Sequence, residues 1–419
     1  MTPEVKERIE QIRHGIVPER YKRTKAGIYP EDWTEYTLGD IYTERKEPGN
    51  ESLPLLMVSI HSGVSDGEVD EEDLPKKVKR IEDKSQYKRA ASGDLVFNMM
   101  RAWQGAIGSV RTEGMVSPAY IVAEPADLVD PLFMDYLMRT PRMVGTIHKQ
   151  SYGVTDFRLR LYWDSFAPIH CVLPSVPEQK KIGEAVDVQN KVIELKEKLL
   201  EEKQRQKKYL MQQLLSGKKR LPGYDGEWKK VKLKKLLKER KTYSPKGAEY
   251  PHVTLSTEGI YAKSERYNRD HLVKNDDKEY KITHRGDICY NPANLKFGVI
   301  CMNNFGDAIF SPIYVTFEVV GKVCPEFLAA YLMRWDFINA VRKYEEGTVY
   351  ERMAVKPEDF LKFEMMLPPY EEQVAIAKIL SIADKEIELL HQDLEQEKQK
   401  KKALMQLLLT GIVRVTTDK

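Results

Sequence analysis

The chain has little of what staples a small protein or anchors one in a membrane. Its four cysteines, Cys171, Cys289, Cys301 and Cys324, form no C-x-x-C pair, which argues against a structural zinc site and for a reducing compartment. No run of eighteen apolar residues exists and no apolar leader opens the chain, so no membrane partner is expected and the expected location is the cytoplasm. An excess of one charge is also missing. With 67 Lys and Arg against 64 Asp and Glu the net charge is +3, which says nothing about nucleic acid. The eight histidines contain no H-x-x-x-H pair, so His61 and His170 read as core or loop residues and no metal is expected.

What is present is repetition. Residues 178–217 recur without a gap at 372–411, each position mapping to the second copy by adding 194, with seventeen of the forty identical. Neither copy holds an internal proline, and Leu, Lys, Glu, Gln and Met supply strong helix formers almost throughout. Pro174 and Pro177 precede the first copy, Pro368 and Pro369 the second, and Gly217 and Gly411 supply the stop signals. Two long helices are expected, each ~60 Å at about 1.5 Å per residue. Apolar residues follow a spacing close to a heptad seam: Ile182, Ile193, Leu200, Leu210 and Leu214, then Ile376, Ile387, Leu394, Leu404 and Leu408. One chain can therefore pair its own helices. Lys203, Lys207, Glu397 and Lys401 interrupt the seam, where stems can lie along it while their heads reach water. Near the N-terminus Ile12, Gly15, Ile16 and Val17 line up with Leu408, Gly411, Ile412 and Val413, so the chain starts with the last turn of a third, partial copy.

Between the helix copies the pattern changes to short apolar runs punctuated by glycine. Residues 55–60, 94–98, 107–110 and 120–123 read as strands, and 130–139 and 142–148 as short helices. The stretch 224–369 repeats that plan: Trp33 and Leu38 correspond to Trp228 and Leu233, Gly93-Asp94 to Gly286-Asp287, Leu137-Met138-Arg139 to Leu332-Met333-Arg334, and Phe166 to Phe360. Between these anchors the copies barely resemble each other. A shared skeleton with divergent loops is what two binding modules need if they read different things. The expected segments are 1–28, a partial helix-repeat end; 29–174, the first module; 175–221, a central spacer helix; 222–369, the second module; and 370–419, a C-terminal spacer helix.

Two variable modules alternating with near-identical long helices, the helix starts at 173–179 and 367–373, and the closing YLMQQLLSG and ALMQLLLTG resemble the specificity subunit of Type I DNA restriction-modification enzymes, over essentially the whole chain. The resemblance implies an α+β fold: two mixed α/β target-recognition domains with an antiparallel two-helix coiled-coil spacer, related by a pseudo-twofold internal repeat. It also implies double-stranded DNA as ligand, each module reading half of a bipartite site, with two methyltransferase (M) subunits and motor-nuclease (R) subunits as partners.

Chemistry of the chain's own is not found. Leu367-Pro368-Pro369-Tyr370 superficially matches the x-P-P-Y loop of adenine methyltransferases, but leucine cannot accept the amino hydrogen bond that Asp, Asn or Ser accepts there. Asn291-Pro292-Ala293-Asn294 has the acceptor but lacks the second proline and the stacking aromatic. No glycine-rich strand-to-helix turn precedes either, and no phosphate loop is present. No cofactor is expected. The reading is a non-catalytic subunit; its rivals are an internally repeated protein-binding scaffold, which gains little from changing every loop on a kept skeleton, and an adenine methyltransferase, which the missing cofactor loop opposes.

Candidate DNA contacts fall in loops between the anchors, where arginine and amide groups reach base edges. In the first module they are Arg101, Trp103 and Gln104, with Tyr152, Thr155 and Arg158 around Gly153; in the second, Asn291, Asn294 and Lys296, with Thr348, Tyr350 and Arg352 around Gly347. Residues 218–246 hold twelve Lys or Arg against three acids, and Lys229, Lys230 and Lys232 are the phosphate candidates there. An opposite run, six acids in residues 66–73, lies in the first module.

Overall fold

The computed structural model describes residues 1–50, 52–60, 62–65, 86–155, 158–245, 249–263, 279–344 and 354–416. They form two compact units, one of residues 1–197 with 393–419, the other of residues 198–392. The acidic run at 66–73 and Thr348, Tyr350 and Arg352 lie outside the described residues.

Both units are built on one plan. In the first, a four-stranded antiparallel sheet runs Tyr42–Arg45, Tyr120–Pro125, Leu95–Asn98, Ile107–Ser109, followed in sequence by helices Pro131–Met138 and Pro141–Gln150. In the second the order is Leu237–Glu239, Val315–Val319, Ile288–Tyr290, Ile300–Met302, then helices Pro325–Leu332 and Trp335–Val341. The strand alternation divides each core in two: Leu95 and Phe97 join one apolar cluster and Val96 another, as Ile288 and Tyr290 do against Cys289. Phe166 and Phe360, matched in sequence, are both fully buried against aromatics: Phe97 at 4.7 Å in the first unit, Tyr290 at 4.9 Å in the second.

The Gly-Asp strand starts have a partner that the sequence did not reveal. Buried Asp94 takes a two-pronged contact from Arg45, at 2.7 and 3.2 Å, and buried Asp287 takes the same from Arg240, at 2.9 and 3.0 Å. Arg45 ends the edge strand Tyr42–Arg45 and Arg240 directly follows the edge strand Leu237–Glu239, so in each unit one ion pair ties the edge strand to the start of the third strand, across the strand between them. Two sequence expectations shift. The Leu137-Met138-Arg139 match to Leu332-Met333-Arg334 is out of step: Pro131 and Pro325 both open their helices, 194 apart, which sets Met138 against Leu332, both buried, and leaves Met333 exposed. The run at 55–60 yields only the short strand Val58–Ser59.

The two long helices span Val176–Leu214 and Tyr370–Leu408, each ending at a glycine in the left-handed region, Gly217 at φ +69° and Gly411 at φ +70°. Their identical Glu-Gln starts fasten them to the modules. The amide oxygen of Gln179 accepts from the Asp130 backbone N–H, and its nitrogen donates to the carbonyls of Leu128 and Pro174, each at 2.9 Å. Gln373 accepts from Cys324 N–H at 2.9 Å and donates to Pro368 at 2.8 Å. Glu178 receives Arg414 at 2.6 and 2.7 Å, and Glu372 receives Arg220 at 2.6 and 2.8 Å together with the Trp228 indole at 3.1 Å. Gln179→Leu therefore removes the partner of three backbone groups, of which the Pro174 carbonyl is buried and the other two are part-buried, and at ~1–3 kcal/mol for an unsatisfied buried group the first unit should lose about 2 kcal/mol or more. Chemical unfolding of the full chain checks this; a loss below about 1 kcal/mol would mean that water replaces the amide.

The helices pair antiparallel within each unit. In the first, Gln189 donates to Glu397 at 2.7 Å, Lys196 meets Asp393 at 2.6 Å and Lys401 donates to Asn190 at 2.5 Å; in the second, Lys203 meets Glu386 at 2.7 Å and Lys207 contacts Asp384. The charged heads thus cross to the facing helix, where water was expected to receive them. Glu397 is buried, and hydrogen bonds from Gln189, then Lys196 and Lys400, hold its carboxyl down to about 2. The apolar seam is also shared differently than its spacing suggests. Ile182 and Leu408 belong to the core of the first module, and Ile376 and Leu214 to that of the second, with Leu404 and Leu210 packed against those cores. Ile193, Leu200 and Leu394 are buried outside both module cores, and Ile387 is half-buried. The N-terminal helix Pro3–Arg13 closes onto the exit of the C-terminal one: Arg8 donates to the Ile412 carbonyl at 2.6 Å and Tyr21 to that of Gly411 at 2.7 Å.

Candidate DNA interface

In each unit the turn after the central strand is held by its own first residue. Asn98 accepts from the Met100 backbone N–H at 2.9 Å, and Asn291 from those of Ala293 and Asn294 at 3.1 and 3.2 Å. A single 3-10 turn follows, Ala102–Gln104 or Leu295–Phe297, and a glycine at positive φ, Gly105 or Gly298, returns the chain to the edge strand. The positive φ makes glycine necessary there. Asn291, expected to reach a base, is instead buried and occupied in holding its turn. The side chains presented outward are Met100, Arg101 and Gln104 in the first unit, and Asn294 and Phe297 in the second, with Phe297 60% exposed beneath the Lys296 ammonium at 5.3 Å. Trp103 packs partly into the core beside His148 and donates its indole N–H to Met100 at 2.9 Å, so it supports the turn from behind.

The second predicted loop lies against the first. Leu161 N–H donates to the Met99 carbonyl at 2.9 Å, and the matching bond in the second unit runs from Val355 to Pro292 at 3.3 Å. This brings Tyr152 and Arg158 to the neighbourhood of the 98–105 turn. Gly153 is required here for a different reason: a Cβ on it would stand 2.2 Å from the Arg158 carbonyl. Tyr152 is exposed beside the ring of Tyr162 at 5.3 Å, Arg160 donates to the Tyr162 hydroxyl at 3.3 Å, and Val154 is 98% exposed at the loop tip. Thr155 turns its hydroxyl inward, with no hydrogen-bond partner among the described residues. Arg101, Arg158 and Arg160 are exposed on the same two loops as Met100 and Val154, and arginines so placed suit phosphates and base edges. Sequence reasoning missed Met100, Val154, Arg160 and Phe297; the shared spacing from Asn98 to Gly105 and from Asn291 to Gly298 was the available signal for the last.

The lysine cluster sits elsewhere. Lys229, Lys230 and Lys232 are exposed on the strand Lys229–Lys232, which pairs with Glu364–Leu367; Lys230 meets Glu364 at 2.6 Å and Lys232 meets it at 3.9 Å, leaving Lys229 without an ion pair among the described residues. Arg220 and Arg240 of the same basic run are engaged by Glu372 and Asp287. On the long helices two apolar pairs of the repeat face outward: Val188 with Ile382, and Leu195 with Leu389.

A duplicated scaffold that presents unlike side chains from matched paired loops defines an internally repeated two-module protein. Residues 225–399 match the family described as Type I restriction modification DNA specificity domain. Two type I restriction enzyme specificity subunits of Methanocaldococcus jannaschii are similar along their length: MjaX at 25% identity, over 95% of this chain and 98% of its own, and MjaVIII at 22%, over 95% and 96%. Among solved structures, the S subunit of a Type I restriction-modification system from M. genitalium has this fold at TM-score 0.54 and 11% identity, covering 92% of this chain and 97% of its own. A chain from a study of complex assembly and conformational transition of the type I R-M system matches at TM-score 0.52 and 17% identity, over 92% and 99%. The chain is thus similar along its length to specificity subunits of Type I restriction-modification enzymes, and its residues 225–399 carry that family's domain.

Proposed function

We propose that each unit reads one half of an asymmetric, bipartite duplex DNA site through its pair of adjoining loops, and that the chain itself performs no chemistry. One observation carries the reading: the 98–105 and 291–298 turns share their capping asparagine, 3-10 turn and exit glycine, yet present Arg101 and Gln104 in one unit and Asn294 and Phe297 in the other. Identical support with different tips gives two readers with different preferences. Arginine and glutamine suit guanine and adenine edges in the major groove, and an exposed phenylalanine suits a thymine methyl. The long helices hold the readers apart and dock two methyltransferase subunits, and motor-nuclease subunits join that assembly; adenine methylation and cleavage belong to these partners, in the cytoplasm.

Arg101→Ala should weaken target binding by the assembled methyltransferase roughly 5- to 150-fold, the worth of ~1–3 kcal/mol for a bidentate contact, and relax one half-site only. Exchange of residues 29–174 for the same module of another family member should replace that half-site and preserve the other. Methylation mapping reads both outcomes, and a change in both halves, or in neither, would refute independent readers.

A further inference from the structure

We propose that the first unit holds a binding site for a small amphipathic anion, with an apolar body and a phosphate, sulfate or carboxylate head, in the cleft between the last turns of the C-terminal helix and residues 137–150 and 168–172. The cleft has a volume of about 850 Å³, inside the ~300–1,000 Å³ range of small-molecule sites. A three-turn helix, ~16 Å long and ~10–12 Å across, would need roughly 1,300–1,800 Å³. The volume therefore suits a small molecule and not a docked helix.

The lining decides the chemistry. Lys25, Arg139, Arg142, Lys398, Lys401 and Lys402 face the cleft, and among the described residues no Asp or Glu lines it. Arg139 is engaged by Asp135, Lys398 by Glu197 at 3.0 Å, and Lys401 by Asn190 at 2.5 Å. The Glu35 carboxylate accepts from the Lys25 backbone N–H at 2.9 Å and lies 3.3 Å from His170 at one edge of the cleft, whereas Arg142 and Lys402 form no ion pair among the described residues, so two positive charges stand uncompensated around one opening. Beneath them the surface is apolar: Tyr29, with the Arg142 guanidinium over its ring at 5.5 Å, and Met143, Met405 and Leu409. Methionines at two of these places let the floor adapt to an irregular body.

The second unit keeps the helix side of the site, with Lys207, Lys208 and Met211 where the first has Lys401, Lys402 and Met405, but not the module side. At the positions 194 further on, Asp336 replaces Arg142, Glu364 replaces His170 and Phe363 replaces Ile169, with Phe363 packed edge-on to Phe337 at 5.1 Å. A ligand of this cleft is therefore distinct from any partner that the duplicated helices would bind twice.

Titrating the full chain with anilinonaphthalene sulfonate, an aromatic body bearing one anion, tests the assignment. One equivalent should bind, with affinity falling as salt rises. Lys402→Glu and Arg142→Glu should each weaken it about tenfold, and Met405→Trp, which fills the floor, should remove it while the far-UV circular dichroism stays unchanged. Inorganic phosphate alone should bind at least a hundredfold more weakly. Lys402 is exposed, so its variant folds and keeps the test decisive if Met405→Trp does not. Binding at several equivalents that ignores Lys402→Glu, or phosphate binding as tightly as the aryl sulfonate, would overturn the proposal.

Discussion

A chain carrying Leu195→Asp together with Leu389→Asp should fold, keep both DNA readers and fail to retain methyltransferase subunits. These leucines occupy the same position of the two helix copies, yet neither takes part in the seam: they are 65% and 55% exposed, while Ile193 beside the first is buried. Val188 lies seven residues before Leu195, and Ile382 seven before Leu389, so each helix carries a second apolar stripe with heptad spacing on an outward face. Leu199, four residues after Leu195, extends the first stripe. A helix that buries one stripe internally and displays another is arranged to pack against a further helix. Two matched displays in one chain, sharing Leu195 with Leu389 and pairing Val188 with Ile382, suit two copies of one partner. Burying a leucine contributes ~1.5–3 kcal/mol, and an aspartate in its place also carries an uncompensated charge into the contact. Each substitution should therefore weaken one docking site by more than a hundredfold. Co-purification should fall from two methyltransferase subunits to one with either single change and to none with both, at unchanged circular dichroism. Retention of both subunits by the double variant would move the docking surface elsewhere.

The helices, their ends and the duplicated module plan were legible in the sequence because each is written in short-range pattern: helix formers, a terminating glycine, and anchors such as Phe166 and Phe360 that keep their neighbours. What escaped depends on partners far along the chain. Arg45 and Arg240 could not be matched to Asp94 and Asp287 without knowing that their strands lie on either side of one shared strand, since an arginine in a polar stretch carries no mark of its destination. The heptad spacing gave the buried faces but not what covers them; Ile182 and Ile376 fill module cores because each helix begins against its module. At the loops, sequence placed Arg101, Gln104 and Asn294 on exposed turns. It misjudged Asn291, whose small amide serves a turn as readily as a base. Exposure of Phe297 and Val154 runs against their hydropathy, and only the fold reveals it.

Lengthening the spacer should lengthen the gap between the two half-sites. The pairs Lys203–Glu386 and Lys207–Asp384 fix the register of the helices, so an insertion in one helix alone would set one of these pairs out of step. Four helix-forming residues should therefore be added to both, after Lys203 and after Lys385, which keeps Lys203 opposite Glu386 on one side and Lys207 opposite Asp384 on the other. The addition lengthens each helix by ~6 Å and turns it ~40° past a full turn. On B-DNA one base pair advances ~3.4 Å and turns ~35° in the same right-handed sense. The rise alone would allow nearly two base pairs. Two would rotate the second half-site by ~70°, about 30° beyond what the helices supply, whereas one matches the rotation and needs only that the spacer be inclined to the duplex. The altered enzyme should thus methylate the same two half-sites with the gap increased by one base pair, or two where the duplex untwists to follow. Mapping methylated bases in cells that carry the double insertion measures the change directly. An active enzyme with an unchanged gap would mean that the distance between the readers is not set by these helices.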